Sequence, residues 1–162
     1  MPVRADRRFV FAHPAHLIAF GGGVGLAPFA PGTFGTLLAF PLFAALAAAT
    51  DVVTQLFVFI GLFGMGVWAC HATGRALGVA DHGGMVWDET VAFLLVLIFT
   101  PTGWAWQMAA FALFRFFDIV KPPPIRHFDR TLKSGFGVMF DDLLAAGYTL
   151  LVLALAKTWM EL

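Results

Sequence analysis

The sequence predicts an all-α fold: four to five apolar helices bundled in a membrane, with a polar head at one face. Hydrophobic residues make up 60% of the 162 residues, and 19 of them are Phe. Charged residues make up only 12%, about half the ~25% of soluble domains. The composition therefore excludes an ordinary soluble monomer. The length predicts one domain covering residues 1–162.

Each helix is predicted from a long apolar stretch, and the stretches are residues 34–50, 52–70, 91–117 and 143–159. A membrane-spanning helix needs about 20 residues, with a range of roughly 17–25. The second stretch meets this length, and the first and last lie at its short limit. The third is interrupted at residues 100–103 and predicts two helices joined at Pro101-Thr102-Gly103, which either cross the membrane or dip into it. No period-two alternation typical of a barrel occurs.

The charges predict which face carries the polar head. Nearly all of them fall in residues 4–8, 75–89 and 115–142, whereas the tips at residues 50–51 and 101–103 have no Lys or Arg. Hairpins of helices would place the three charged zones on one side, and their Lys and Arg identify that side as cytoplasmic. Zero net charge without a basic run excludes a nucleic-acid partner.

Two acidic pairs are candidate metal ligands. Asp88 and Glu89, in DHGGMVWDET, stand where a polar loop meets an apolar helix, and Asp141 and Asp142 are predicted at the start of the last helix. A helix dipole stabilises such acids, but a charge at the hydrocarbon edge costs a few kcal/mol and usually marks function. Two pairs on facing helices supply the oxygen ligands that Mg²⁺ prefers. We predict a Mg²⁺ site, with paired helix caps as the alternative.

A third motif, FRFFDIVKPPPIRHFDR, places Arg115, Asp118 and Lys121 three residues apart, roughly along one side of a helix end. Asp118 is either the counter-ion of a snorkelling Arg and Lys, or it joins the metal ligands while Arg115 and Lys121 bind phosphate. The prolines at 122–124 should end this helix. The chain beyond is expected to run stiffly along the membrane interface.

A fourth motif, APFAPGTFGT, precedes the first apolar stretch. Free amides at a helix start suit phosphate, and Thr33 is the candidate phosphate-binding side chain. Thr33 or Thr36 as an ordinary N-cap is an equal alternative.

In chain order, the sequence resembles the bacterial phosphatidylglycerophosphatase A family, small inner-membrane lipid phosphatases, in GVGLAPFAPGTFGT, DHGGMVWDE, FRFFDIVKPPPIRHFDR and GFGVMFDDLLAAG. The match covers most of the chain. The resemblance implies Mg²⁺-dependent hydrolysis of phosphatidylglycerophosphate to phosphatidylglycerol and inorganic phosphate, by a multi-pass protein whose site faces the cytoplasm. The acids expected to act in catalysis, with an undetermined subset binding Mg²⁺, are Asp88, Glu89, Asp118, Asp141 and Asp142. The residues expected to bind phosphate are Arg115, Lys121 and Thr33.

Three other functions compete with this one. A membrane phosphotransferase of the CDP-alcohol type should carry a DGxxAR-type motif, which the sequence lacks. A cation or lipid transporter should carry acids near the middle of the bilayer, whereas these acids lie at segment ends. A purely structural membrane subunit is the third alternative. The sequence leaves the oligomeric state open.

Overall fold

The structure is a computed structural model that describes residues 4–161. Over these residues it contains helices and turns and no strand, which confirms the all-α prediction. The α-helices are α1 (Arg7–Ala12), α2 (Pro14–Ala19), α3 (Pro31–Ala49), α4 (Val52–Leu77), α5 (Trp87–Phe99), α6 (Trp104–Val120), α7 (Ile125–Thr131) and α8 (Gly135–Met160). A 3₁₀ helix covers Gly21–Leu26.

Three helices, α3, α4 and α8, are long and apolar enough to cross a membrane. The broken apolar stretch forms two helices, α5 and α6, joined at residues 100–103 as predicted. With 13 and 17 residues they rise by about 20 and 26 Å, less than the ~30 Å hydrocarbon core. The protein therefore combines three membrane-length helices with a shorter pair.

The shorter helix α5 forms the centre of the bundle and packs against α3, α4, α6 and α8. Phe93, Leu94 and Leu97 on α5 are almost fully buried. The Thr90 hydroxyl donates to the Gly35 carbonyl of α3 at 2.7 Å. On the opposite side, the Trp87 indole donates to the Leu62 carbonyl of α4 at 3.2 Å. These two hydrogen bonds connect the N-terminal turn of α5 to α3 and to α4.

The start of α8 differs from the prediction. Asp141 and Asp142 were expected to begin this helix, but it begins at Gly135 with Ser134 as its N-cap. The Ser134 hydroxyl accepts a hydrogen bond from the Gly137 amide at 3.2 Å. A Cβ on Gly135 would meet the backbone of α4, so glycine lets the first turn pack closely there. The two acids consequently lie in the second turn, inside the bundle.

The chain after α6 also differs from the prediction. The helix ends at Val120, and Lys121 adopts a left-handed conformation with φ 46°. The following residues do not run stiffly along an interface. They turn and begin α7, which packs against α8 through its buried Ile125. This turn directs Lys121 towards α8.

Candidate active site

Side chains from all four motifs meet where α3, α5 and α8 begin and α6 ends. We call five of their acids, Asp88, Glu89, Asp118, Asp141 and Asp142, the carboxylate cluster. Asp142 interacts electrostatically with each of the other four. The structure therefore brings together the acids that the sequence predicts as catalytic, although they are distributed over 55 residues of the chain.

Arg115 links three helices at this site. Its Nη1 donates to Glu89 Oε1 at 3.1 Å, to Asp118 Oδ2 at 2.6 Å and to the Thr36 hydroxyl at 3.3 Å. Thr36 in turn donates to the Gly32 carbonyl at 2.9 Å. Asp118 is thus a counter-ion of Arg115, as one alternative predicted. Within residues 4–161, Arg115 Nε is buried without a hydrogen-bond partner, which leaves a donor for a bound anion.

Lys121 binds different acids from those the sequence indicated. Its ammonium contacts Asp141 Oδ2 and lies 2.9 Å from Asp129 Oδ1, and Asp118 is not among its ion-pair partners within residues 4–161. The expectation that Asp118 neutralises both cations is wrong, because the left-handed turn at Lys121 sends this side chain towards α8. Burial alone would lower the pKa of Lys121, but Asp141 and Asp129 raise it above its ordinary value. Lys121 therefore remains protonated at neutral pH.

The carboxylate cluster is largely shielded from solvent. Asp88, Asp118, Asp141 and Asp142 are 3–8% exposed. Across the described chain, Asp88 Oδ1, Glu89 Oε2 and Asp142 Oδ2 are buried and have no hydrogen-bond partner. A buried ionised carboxylate without a partner costs several kcal/mol. Five acids beside the two cations Arg115 and Lys121 form a site that favours an additional cation.

The free oxygens of Asp88 and Asp142 are suited to a hard divalent ion. Within residues 4–161 no three His, Cys, Asp or Glu side chains form a preassembled metal cluster. Mg²⁺ commonly binds through one or two carboxylates and completes its coordination with water and phosphate oxygens. Asp88 on α5 and Asp142 on α8 fit this requirement. The helix-cap alternative is wrong for Asp141 and Asp142, because Ser134 caps α8.

The start of α3 contacts the cluster through its backbone. Ala30 is the N-cap and forms no side-chain cap hydrogen bond, so neither Thr33 nor Thr36 caps this helix. Thr33 is half-buried in the first turn, next to Gly32. A Cβ on Gly32 would lie 2.8 Å from the Glu89 carboxyl carbon. Glycine at this position therefore allows Glu89 to lie directly against the helix start.

A family model described as Phosphatidylglycerophosphatase A matches residues 17–157, which include every candidate site residue. The chain belongs to the phosphatidylglycerophosphatase A family. This result confirms the predicted family and the predicted enzyme class, a phosphatase acting on phosphomonoesters.

Three relatives align with this chain over most of their own length. A phosphatidylglycerophosphatase A of Haemophilus influenzae is 44% identical over 155 residues, 95% of each chain. That of Escherichia coli K12 is 42% identical, over 87% of this chain and 82% of the relative. A Bacteroides thetaiotaomicron protein named provisionally as a phosphatidylinositol-3-phosphatase is 40% identical, over 87% of this chain and 92% of its own. No solved structure matches the chain.

Sequence reasoning missed two residues of this phosphatidylglycerophosphatase A-family site. Asp129 binds Lys121, and burial alone would raise the pKa of Asp129, but the hydrogen bond and charge of Lys121 lower it below its usual range. Thr36 was considered only as a cap, whereas its hydroxyl accepts from Arg115. Asp129 lies in the FDR of the third motif and Thr36 in the PGTFGT of the fourth. Membership of these motifs was the one sequence feature that could have indicated a role in the site.

We expect Gly32→Ala to destabilise the protein, although Ala normally favours a helix over Gly by about 1 kcal/mol. The new methyl group would overlap the Glu89 carboxylate and displace it from Arg115. Overpacking of this kind costs about 1–3 kcal/mol, measurable as a lower unfolding temperature in detergent. The matched control is Gly64→Ala on α4, where a Cβ would meet no atom within 4 Å. Equal unfolding temperatures for the two variants would contradict the predicted contact.

Proposed function

We propose that the protein hydrolyses phosphatidylglycerophosphate to phosphatidylglycerol and inorganic phosphate, with Mg²⁺ as its cofactor. The observation that carries this proposal is that Asp88 and Asp142 each have a buried side-chain oxygen without a hydrogen-bond partner within residues 4–161, in a cluster whose other acids bind Arg115 and Lys121. Family membership supports it, since the Haemophilus influenzae and Escherichia coli relatives are named phosphatidylglycerophosphatase A. Family membership also favours hydrolysis over the phosphotransferase, transport and structural alternatives.

Asp88 and Asp142 would hold the metal ion. Bound Mg²⁺ supplies Lewis-acid polarisation of a phosphoryl oxygen and lowers the pKa of a coordinated water. Arg115, through its free Nε, and protonated Lys121 offset the negative charge that develops on the phosphoryl group. Both cations are held by acids before substrate arrives, so little reorganisation is needed during the reaction.

Glu89 is the proposed general base. Arg115 holds its Oε1, whereas Oε2 is buried without a partner in the described chain and is free to accept a proton. In this scheme water attacks phosphorus and gives its proton to Glu89 Oε2. The bond between phosphorus and the terminal glycerol oxygen breaks, and that oxygen takes up a proton as phosphatidylglycerol leaves. The first turn of α3, with Thr33, would contact the departing phosphate.

The location that we propose for this site is the cytoplasmic face of a bacterial inner membrane. Arg75, Arg126, Arg130 and Lys133 are exposed in the chain segments that form the polar end. The opposite tips, residues 50–51 and 101–103, carry no Lys or Arg. This asymmetry supports a cytoplasmic orientation.

The proposal is tested by phosphate release from three lipids by detergent-purified protein in Mg²⁺. We expect phosphatidylglycerophosphate to be hydrolysed at least about tenfold faster than phosphatidylinositol 3-phosphate, because a site shaped for one headgroup discriminates at this level or above. Phosphatidylglycerol has only a phosphodiester and should release no phosphate. A folded protein inactive on phosphatidylglycerophosphate, or faster on the inositol lipid, would overturn the assigned substrate.

A further inference from the structure

An apolar groove lies on α8 beside the turn that follows α6. It has a volume of about 400 Å³ and is lined by Pro124, Leu143, Leu144, Gly147, Tyr148 and Leu151. The only side-chain polar group in this lining, the Tyr148 hydroxyl, already donates to the Pro123 carbonyl at 2.9 Å. The lining side chains therefore offer no free polar group, and the groove suits a hydrocarbon ligand.

Two residues of the groove lining lie close in the chain to residues of the candidate site. Leu143 directly follows Asp142, and Pro124 is three residues beyond Lys121, whose ammonium contacts Asp141. From Leu143 to Leu151 the helix rises by about 12 Å. One leaflet of the hydrocarbon core is about 15 Å thick. The groove therefore runs from the phosphate-binding end through most of one leaflet.

Gly147 keeps this groove open. It is exposed, and a Cβ placed on it would meet no atom within 4 Å. Gly135 and Gly137 on the same helix differ, because a Cβ there would meet the backbone of α4 or of Leu132. Helix packing thus explains the latter two glycines but not Gly147, which costs about 1 kcal/mol relative to Ala. The absence of a side chain at Gly147 instead leaves space in the groove.

We propose that this groove binds an acyl chain of the lipid substrate while the phosphate lies at the carboxylate cluster. The inference rests on the proposed function and adds a second binding site for the same molecule. The position of the groove on α8, directly after Asp142 in the chain, and its length close to one leaflet favour an acyl chain over a second copy of the protein. The groove would select lipids with long acyl chains and keep the phosphate group at the end of α8 where Arg115 and Lys121 contact the carboxylate cluster.

The test is Gly147→Leu, assayed on dipalmitoyl and dibutanoyl forms of phosphatidylglycerophosphate. We expect kcat/KM for the dipalmitoyl lipid to fall about tenfold, mainly through KM, since filling an apolar pocket has effects of this size. Hydrolysis of the dibutanoyl lipid should change by less than about twofold, because its chains are too short to need the groove. Gly64→Leu, at an equally open position on α4 that does not line this groove, should leave both unchanged.

If Gly147→Leu shows the same preference between the two lipids as wild type, the proposal that this groove binds an acyl chain is overturned. So would an equal loss on both lipids accompanied by a change in oligomeric state, which would identify a second copy as the occupant. If wild type hydrolyses neither lipid, the proposed function itself fails. This outcome differs from one in which wild type is active and Gly147→Leu keeps the same preference between the two lipids.

A second variant covers the case in which Gly147→Leu does not fold. Leu151 is 56% exposed at the far end of the groove, so Leu151→Trp can be accommodated while shortening it. We expect slower hydrolysis of the dipalmitoyl lipid and unchanged hydrolysis of a dioctanoyl lipid. Equal effects on both lipids would contradict the proposal.

Discussion

Asp142→Asn is expected to reduce phosphate release from phosphatidylglycerophosphate by about 10²- to 10³-fold, the usual effect of removing one preorganised electrostatic group. Asn preserves the size of the side chain but removes the charge that would hold a divalent ion. Asp88→Asn should have an effect of similar size, because the second unpartnered oxygen lies on that residue. The measurement is initial phosphate release at saturating Mg²⁺.

The same two variants should be at least as stable as wild type. Removing a buried negative charge that has no partner among the described residues relieves repulsion within the carboxylate cluster, and functional sites often lower stability in this way. Asp51→Asn is the matched control. Asp51 is the N-cap of α4 and is not part of the carboxylate cluster. Asn is an equally good N-cap, so Asp51→Asn should keep full activity. Full activity in Asp142→Asn would remove this residue from the mechanism.

Arg115→Ala is expected to lower the free energy of unfolding by about 3–5 kcal/mol, the cost of leaving a buried ion pair half-broken. Glu89 and Asp118 would both lose their cation inside the bundle. Phosphate release should be abolished, since in the proposed mechanism the same side chain orients Glu89 and offsets the developing charge on the phosphoryl group. Denaturant unfolding in detergent measures the first effect, and the phosphate assay measures the second.

Two companion variants make this prediction specific. Arg115→Lys keeps the charge but loses the planar group, so part of the stability should return while activity stays low. Lys157→Ala removes a cation whose pairing with Glu161 is exposed, with N and O 3.8 Å apart, and should change stability by less than about 1 kcal/mol. Equal stability of Arg115→Ala and Lys157→Ala would show that Arg115 does not hold the helices together.

The sequence predicts those parts of the fold that depend on long apolar stretches. The interruption at residues 100–103 indicated two helices, and α5 and α6 confirm it. The short helices α1, α2 and α7 went unpredicted because tertiary contacts define them, as the burial of Val10, Ala15 and Ile125 indicates. The start of α8 was placed too late, since glycines at 135 and 137 resemble a loop until the close packing of Gly135 against α4 and of Gly137 against Leu132 is known.

The candidate site was likewise predictable where it depends on sequence position and not where it depends on tertiary contacts. Acids at the edge of apolar segments were identifiable one by one, and they meet because α5, α6 and α8 pack together at the end of the bundle that carries these acids. The pairing of Lys121 with Asp141 and Asp129 was not predictable, because it depends on a single left-handed residue. Helical spacing would have kept Lys121 beside Asp118. Local backbone geometry thus decides which acid each cation neutralises.

The most direct test of metal-dependent hydrolysis at the carboxylate cluster is phosphate release from phosphatidylglycerophosphate by purified protein treated with EDTA and then supplied with Mg²⁺. We expect EDTA to abolish release and Mg²⁺ to restore it in wild type but not in Asp142→Asn. Undiminished release by folded wild-type protein in EDTA would contradict the account.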